Sequence, residues 1–251
     1  DLVEASSEPL EDAPGVEAAP KPKTWDLRLG GLAAMGPDFE GADDYDFRLI
    51  PYLRINWRDR IILRGRSLEF NLYRTTGLKF GPTARLRGGR DEDDAPALRG
   101  LGDIDRNFEA GGFVRIKQGP WRLRITALQD ISAEHSGARV QFNAGLQVPF
   151  DDPWFLLRAD ATWVSGDFMN TFYSITPAQS ARSGLPVYDA DAGFKDAGLS
   201  IATRLPIGQD WSVIGIAGYR RILGDARNSP LVDLRGDPNQ FYTSVGVAYQ
   251  F

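Results

Sequence analysis

The sequence predicts an all-β protein: an antiparallel transmembrane β-barrel of about twelve strands, with ten as the fallback, preceded by a disordered N-terminal tail. Three observations predict it. Apolar and polar residues alternate with period two from Trp25 onward, the connections between alternating runs are short and long in turn, and the chain stops on an amphipathic strand ending in Phe251. Hydrophobic content of 42% and charged content of 25% would suit a soluble chain equally well. A barrel hides from such averages because its lipid-facing and lumen-facing residues alternate. No run of eighteen apolar residues is present, which excludes a helical span.

Residues 1–23 form the first unit. Six acids against two lysines give this stretch a charge of −4 and leave the rest of the chain near −1, out of a total of −5. Rich in Pro, Ala, Glu and Ser, it has too few large apolar side chains to offset the entropy of ordering, and reads as a flexible periplasmic extension. No basic, apolar leader precedes Asp1, so the expectation is a mature form whose signal peptide has been removed. The absence of cysteine fits an exported barrel closed by backbone hydrogen bonds, though only weakly.

Residues 24–251 form the barrel unit, with strands expected over 25–35, 45–57, 60–66, 68–74, 76–90, 108–117, 121–130, 138–149, 154–165, 193–206, 210–222 and 240–251. The clearest alternation sets Val140, Phe142, Ala144, Leu146 and Val148 against Arg139, Gln141, Asn143, Gly145 and Gln147. Trp121, Leu123, Ile125 and Ala127 against Arg122, Arg124 and Thr126 repeat it. The weak part is 60–76, where Gly65, Gly77 and a change of apolar phase near Ser67 allow either two short strands or one bulged strand. Tight turns at Arg58-Asp59, Gln118-Gly119-Pro120, Asp151-Asp152-Pro153 and Gly208-Gln209-Asp210 alternate with long polar loops at 36–44, 91–107, 166–192 and 223–239. This asymmetry belongs to outer-membrane barrels, with short periplasmic turns and longer extracellular loops. Aromatic residues near strand ends, Trp25, Tyr45, Trp57, Trp121, Trp154, Trp163, Trp211, Tyr249 and Phe251, suggest two interfacial girdles. Within the 166–192 loop, Phe168, Phe172, Tyr173 and Ile175 are unusually apolar for an extracellular segment, which points to a loop that folds inward or caps the mouth.

With the polar face turned inward, Arg28, Arg48, Arg54, Lys79, Arg85, Arg87, Arg115, Arg122, Arg124, Arg139, Arg158, Arg204 and Arg220 line the lumen. Asp26, Asp46, Glu109 and Asp160 oppose them. Two readings stand side by side: a basic lumen that prefers small anionic solutes, and a structural arginine ladder that fills a small barrel with its own side chains.

Other chemistries find little footing. His135, the single histidine, sits in Glu134-His135-Ser136-Gly137 without an acid placed to orient it, so a surface turn is expected and no catalytic residue is assigned. The acidic groups Glu40/Asp43/Asp44, Asp91/Glu92/Asp93/Asp94 and Asp103/Asp105 lack the spacing of a calcium loop and read as solvated carboxylates. Phosphate-cradling and zinc patterns are missing, so no metal or cofactor is expected. Basic residues spread at period two along strands do not form a nucleic-acid patch.

The loops carry a resemblance. Pro37-Asp38-Phe39-Glu40-Gly41-Ala42-Asp43-Asp44-Tyr45, Leu98-Arg99-Gly100-Leu101-Gly102-Asp103-Ile104-Asp105, Gly224-Asp225-Ala226 with Ser229-Pro230, and the closing Gly246 to Phe251 together resemble the MltA-interacting protein (MipA/OmpV) outer-membrane family. The resemblance spans about Trp25 to Phe251 and implies an outer-membrane barrel without catalytic residues. The closing Gly246, Tyr249 and Phe251 are similar to an insertion signal, which implies the barrel-assembly machinery as a partner during insertion. The lipid bilayer and lipopolysaccharide would surround the mature protein. A scaffold role implies, further, a murein transglycosylase and a penicillin-binding protein, both met on the periplasmic side.

Overall fold

The computed structural model describes residues 24–132, 137–148 and 154–251. The Asp1 to Lys23 tail and the His135 turn lie outside the described residues. Thirteen strand segments form one antiparallel sheet. In chain order they are β1 (Trp25–Pro37), β2 (Tyr45–Trp57), β3 (Ile61–Arg64), β4 (Ser67–Phe70), β5 (Tyr73–Arg74), β6 (Leu78–Arg87), β7 (Asn107–Gln118), β8 (Trp121–Asp130), β9 (Ala138–Val148), β10 (Trp154–Val164), β11 (Gly193–Ile207), β12 (Trp211–Ile222) and β13 (Asn239–Gln250). β1 pairs with both β2 and β13, and β4 pairs with β6, so the sheet closes on itself.

β4 and β5 are successive pieces of one wall position, since both pair with β6. The barrel therefore has twelve strands, and residues 60–76 resolve into two short strands, the second interrupted at Asn71. Asn71 is fully buried and its side chain donates to the Asp59 carbonyl at 2.7 Å, which fastens the break to the β2–β3 turn. Most of the other strands have ten or more residues, enough to cross a bilayer at the usual tilt.

The alternation seen in sequence is alternation of burial. Along β8 every second residue, from Arg122 to Asp130, is buried, while Trp121, Leu123, Ile125 and Ala127 are exposed to the lipid side. The wall closes tightly at β13, where a Cβ on Gly246 would lie 2.1 Å from the Gly31 carbonyl oxygen of β1, so no larger residue fits that pairing. One girdle expectation is corrected: Trp154 is 3% exposed and belongs to the inward series with Leu156 and Arg158, because the β10 register, not proximity to a strand end, decides its face.

The lumen also holds apolar side chains that the arginine pattern conceals. Leu32, Ala34, Ile50, Tyr52, Ala202, Ile214, Ile216, Tyr242 and Ala248 form a buried cluster on the β1, β2, β11, β12 and β13 side of the barrel. The long loops carry four short helices, α1 (Gly166–Phe172), α2 (Pro177–Ser183), α3 (Gly224–Asn228) and α4 (Pro230–Arg235). Their apolar faces build a second core: Phe168, Met169 and Tyr173 pack with Val164, Ile222, Ala226 and Val232, and Ile175 packs with Leu98, Leu101, Leu185 and Leu231. The apolar residues of the 166–192 loop thus fold over the extracellular mouth as a cap.

Candidate functional site

Two tiers occupy the barrel interior. In the lower, periplasmic tier, Glu69 of β4 is 1% exposed and accepts from Arg124 Nη2 at 2.6 Å and Arg115 Nη2 at 3.0 Å, with Arg64 Nη2 2.6 Å away. One carboxylate thus sits among three guanidiniums from β3, β7 and β8. Arg85 donates to Ser67 Oγ at 3.1 Å and to Gln141 Oε1 at 3.2 Å, and Arg122 to Gln147 Oε1. Arg204 donates to Ser212 Oγ at 2.9 Å and Arg28 to Asp26 at 3.2 Å, while Arg54 and Arg158 are buried in the same layer. Lys79, nearest the periplasmic rim, pairs with Asp59 at 2.8 Å. At this level a cavity of about 10 Å³ remains between Arg28, Tyr52, Arg204 and Ser212, about the space of one water.

The upper tier is wider. A chamber of about 1430 Å³ lies under the cap. Arg139 donates to Glu109 at 2.5 Å, and the Arg87 guanidinium, 4.0 Å from the other oxygen of Glu109, stands over Phe172 and Phe168 with centroids at 4.0 and 4.2 Å. Arg220 lies 3.5 Å from Asp160 and 3.7 Å from Asp196. Arg48 contacts Asp46 at 3.3 Å and the Asp38 carbonyl at 2.8 Å. Lys195, buried beside Asp196 at a bulge of β11 against β10, donates to both Glu40 and Asp196. Burial works to raise the Glu40 carboxyl, but the Lys195 ammonium overrides it and holds that group well below the usual carboxylate range. Burial pushes the Tyr173 phenol well above its ordinary value. Burial also lowers Arg90 to about 10, which leaves it charged.

The loop residues singled out in sequence hold the cap in place. Gly41, at φ +102, donates its N–H to Gln240 Oε1 at 3.0 Å and approaches Val232 where a Cβ would lie 2.8 Å from Cγ2. Glu92 accepts from the Gly100 and Gly102 N–H groups, both at 2.9 Å, and Asp103 accepts from the Glu92 N–H at 2.8 Å. At Gly224 the chain enters α3, where the Asp225 carboxylate accepts from the Asp191 N–H at 2.9 Å. Ser229 is buried and donates to the Tyr173 carbonyl at 2.6 Å, beside the buried Pro230 that opens α4. Asp43 and Asp44 are exposed, and Asp105 lies on the chamber rim. At the other end Tyr249 packs edge-on against Phe251 with centroids at 4.7 Å, and Phe251 is 58% exposed at the periplasmic rim.

The carboxylates that matter most were the hardest to read. Glu69 lies in the segment whose apolar phase changes, and Asp196 follows a bulge that turns two successive residues inward. Among the described residues no three His, Cys, Asp or Glu side chains gather as a metal site would require.

With these motifs placed, the comparison with known families is decisive: the profile described as MltA-interacting protein MipA matches residues 29–251. The chain belongs to the MipA family. The MipA match covers all thirteen strands except the first residues of β1. Outer membrane protein Omp26La of Vibrio anguillarum is 24% identical over 162 residues, which is 64% of this chain and 61% of that protein. The match thus spans about 61% of the length of this curated relative and 33% of the outer membrane protein YiaT of Escherichia coli. A solved outer membrane channel from Pseudomonas putida F1 aligns with 96% of this MipA-family chain and 100% of its own, at 11% identity and a TM-score of 0.47. The protein is an outer-membrane β-barrel.

Proposed function

We propose that this MipA-family protein is a non-enzymatic scaffold whose barrel is a closed anchor in the outer membrane and whose periplasmic side meets the peptidoglycan-remodelling machinery. The observation that carries the reading is the lower tier of the lumen. There Glu69 engages three arginines, and a buried apolar cluster lines the β1, β2 and β11 to β13 side of the same interior. Arginines engaged with carboxylates and amides are a poor lining for an anion path, since a passing anion would compete with partners already in place. The family description names interaction with MltA. On this reading the first partner is a murein transglycosylase and the second a penicillin-binding protein, met through the tight turns and the acidic 1–23 segment. Gly246, Tyr249 and Phe251 serve the barrel-assembly machinery during insertion.

The test pairs two measurements on one folded preparation, with folding verified by heat-dependent migration on a gel. Planar bilayers are expected to show no steady conductance steps, and immobilised protein is expected to retain a murein transglycosylase. Steady anion-selective steps that weaken or reverse when Arg85→Glu and Arg122→Glu are combined would replace the scaffold with a channel for small anionic solutes.

A further inference from the structure

Like charges stand side by side inside the wall near its periplasmic end. Arg28 of β1 lies opposite Arg54 of β2, which lies opposite Arg64 of β3. Further round the wall, Lys79 of β6 lies opposite Arg115 of β7, which lies opposite Arg124 of β8. All of these except Lys79 are buried. Like charges directly opposite each other on neighbouring strands destabilise a sheet unless anions stand among them. Asp26 meets Arg28, Asp59 meets Lys79, and Glu69, on β4 between the two runs, meets Arg64, Arg115 and Arg124 at once. Three carboxylates against six cations leave this level, among the described residues, with an excess of positive charge.

The wall begins beside these arginines. Thr24 accepts from the Arg58 N–H at 2.9 Å, and Trp25 opens β1 opposite Trp57 at the periplasmic rim. Whatever precedes Thr24 therefore leaves from the periplasmic mouth, and Arg28 lies only about 8 Å above it along a tilted strand. We propose that the acidic segment 1–23 turns back through this mouth and lies in the lumen with its carboxylates among the arginines, so that the chain supplies its own plug.

Four features suit the segment to that place. Its negative charge is on Asp1, Glu4, Glu8, Glu11, Asp12 and Glu17, whereas Lys21 and Lys23 fall within three residues of Thr24 and stay at the mouth. Its hydrogen-bonding groups complement the wall: guanidiniums only donate, and the segment offers carboxylates and a backbone in which Pro9, Pro14, Pro20 and Pro22 have a carbonyl but no N–H. Its reach is sufficient, since at about 3.1 Å per residue an extended chain brings Glu17 about 20 Å and Glu11 about 40 Å from Thr24. A tilted strand of twelve or thirteen residues rises roughly 30 Å, so these acids pass both tiers. Its girth is small, because Ala, Ser, Pro and Gly make up most of what lies between the acids. About eight strands enclose side chains alone and about sixteen leave an open channel, so a barrel of twelve has room for one slender chain.

A free anion is the weaker competitor, because tethering at Thr24 holds the segment at an effective concentration on the order of millimolar. The inference stands apart from the scaffold reading, with one consequence for it: a partner that binds the segment must first draw it from the lumen.

The experiment treats the full chain in proteoliposomes with a carbodiimide, which joins a carboxylate to an amine in contact with loss of water, and reads the products by peptide mass spectrometry. In Arg124→Lys the introduced amine is expected to be joined to Glu69, which reports a folded lumen open to the reagent, and also to an acid between Glu4 and Glu17. Glu69 products without any to the segment overturn the plug. In an equal mixture of isotope-labelled and unlabelled chains, segment products are expected within one chain; products between chains overturn the self-plug in favour of an exchanged segment. If Arg124→Lys does not fold, Glu11→Cys and Glu17→Cys test the same point outside the wall, in a chain that has no other cysteine. A bulky maleimide is expected to react with them at least about tenfold more slowly in the folded barrel than in denatured protein. Equal rates overturn the plug. Cross-links read occupancy and bilayer conductance reads closure, so the scaffold reading fails or stands on its own measurement.

Discussion

The two tiers of the lumen are built from different parts of the chain, and their contents follow from that. The lower tier is made by strands: inward residues of β3, β4, β7 and β8 meet at fixed register, so Glu69 finds Arg64, Arg115 and Arg124 at 2.6–3.0 Å. The upper tier is made by strand ends and loops, where helices α1 to α4 roof a chamber. Regular pairing brings inward charges into contact at set distances. Loop cores can span a mouth and leave a volume beneath it.

The sharpest way to break the comparison is to remove the charge that organises the lower tier. Glu69→Ala leaves three buried guanidiniums without their common carboxylate, and losing one partner of such a buried network costs about 3–5 kcal/mol. Urea unfolding of the refolded protein in detergent is expected to shift to lower denaturant by that amount, with cap protection unchanged before the main transition. A midpoint within 1 kcal/mol of wild type would mean that water or the neighbouring glutamines already screen these arginines.

The cap is expected to fail separately. Met169 is fully buried in its core, and Met169→Ala costs about 2–5 kcal/mol, toward the lower end because short helices can close around the cavity. Hydrogen–deuterium exchange should quicken across 166–192 and 224–235 while Trp121–Asp130 of β8 keeps its protection. Equal loss in both regions would show cap and wall to be a single cooperative unit.

How much of this was legible follows the same division. Alternation alone set the faces of most strands, because a period-two pattern in a closed sheet leaves one arrangement of sides. Glu69 escaped because β4 has four residues, too few for a phase to declare itself, and the preceding hairpin reverses it. Lys195 and Asp196 escaped because a bulge breaks the period at that point. Phe168 and Tyr173 announced an apolar loop, but their partners Ile222 and Val232 lie 49 or more residues away, and only folding brings the two loops together. The short reach of β3, which pairs with β2 only from Arg54 to Trp57, left no mark in the pattern at all, since it depends on where the β3–β4 hairpin turns relative to its neighbours.

The smallest effect expected concerns the joint between the tiers, where Glu40 of the first loop reaches Lys195 of β11. Because the folded protein holds this carboxyl below its unfolded value of 4.5, the contact contributes its full stability above that pH and loses it as pH falls toward the folded value. Cap protection by hydrogen exchange should therefore weaken below about pH 4.5. Glu40→Gln should weaken it by on the order of 1 kcal/mol at pH 7, since the side chain is partly exposed, and should flatten the acid dependence. An unchanged acid profile in Glu40→Gln would move the pH sensitivity to another loop carboxylate, and Asp38 does not qualify: burial and the neighbouring Asp46 raise its carboxyl, so protonation there has the opposite sign and would favour the folded cap.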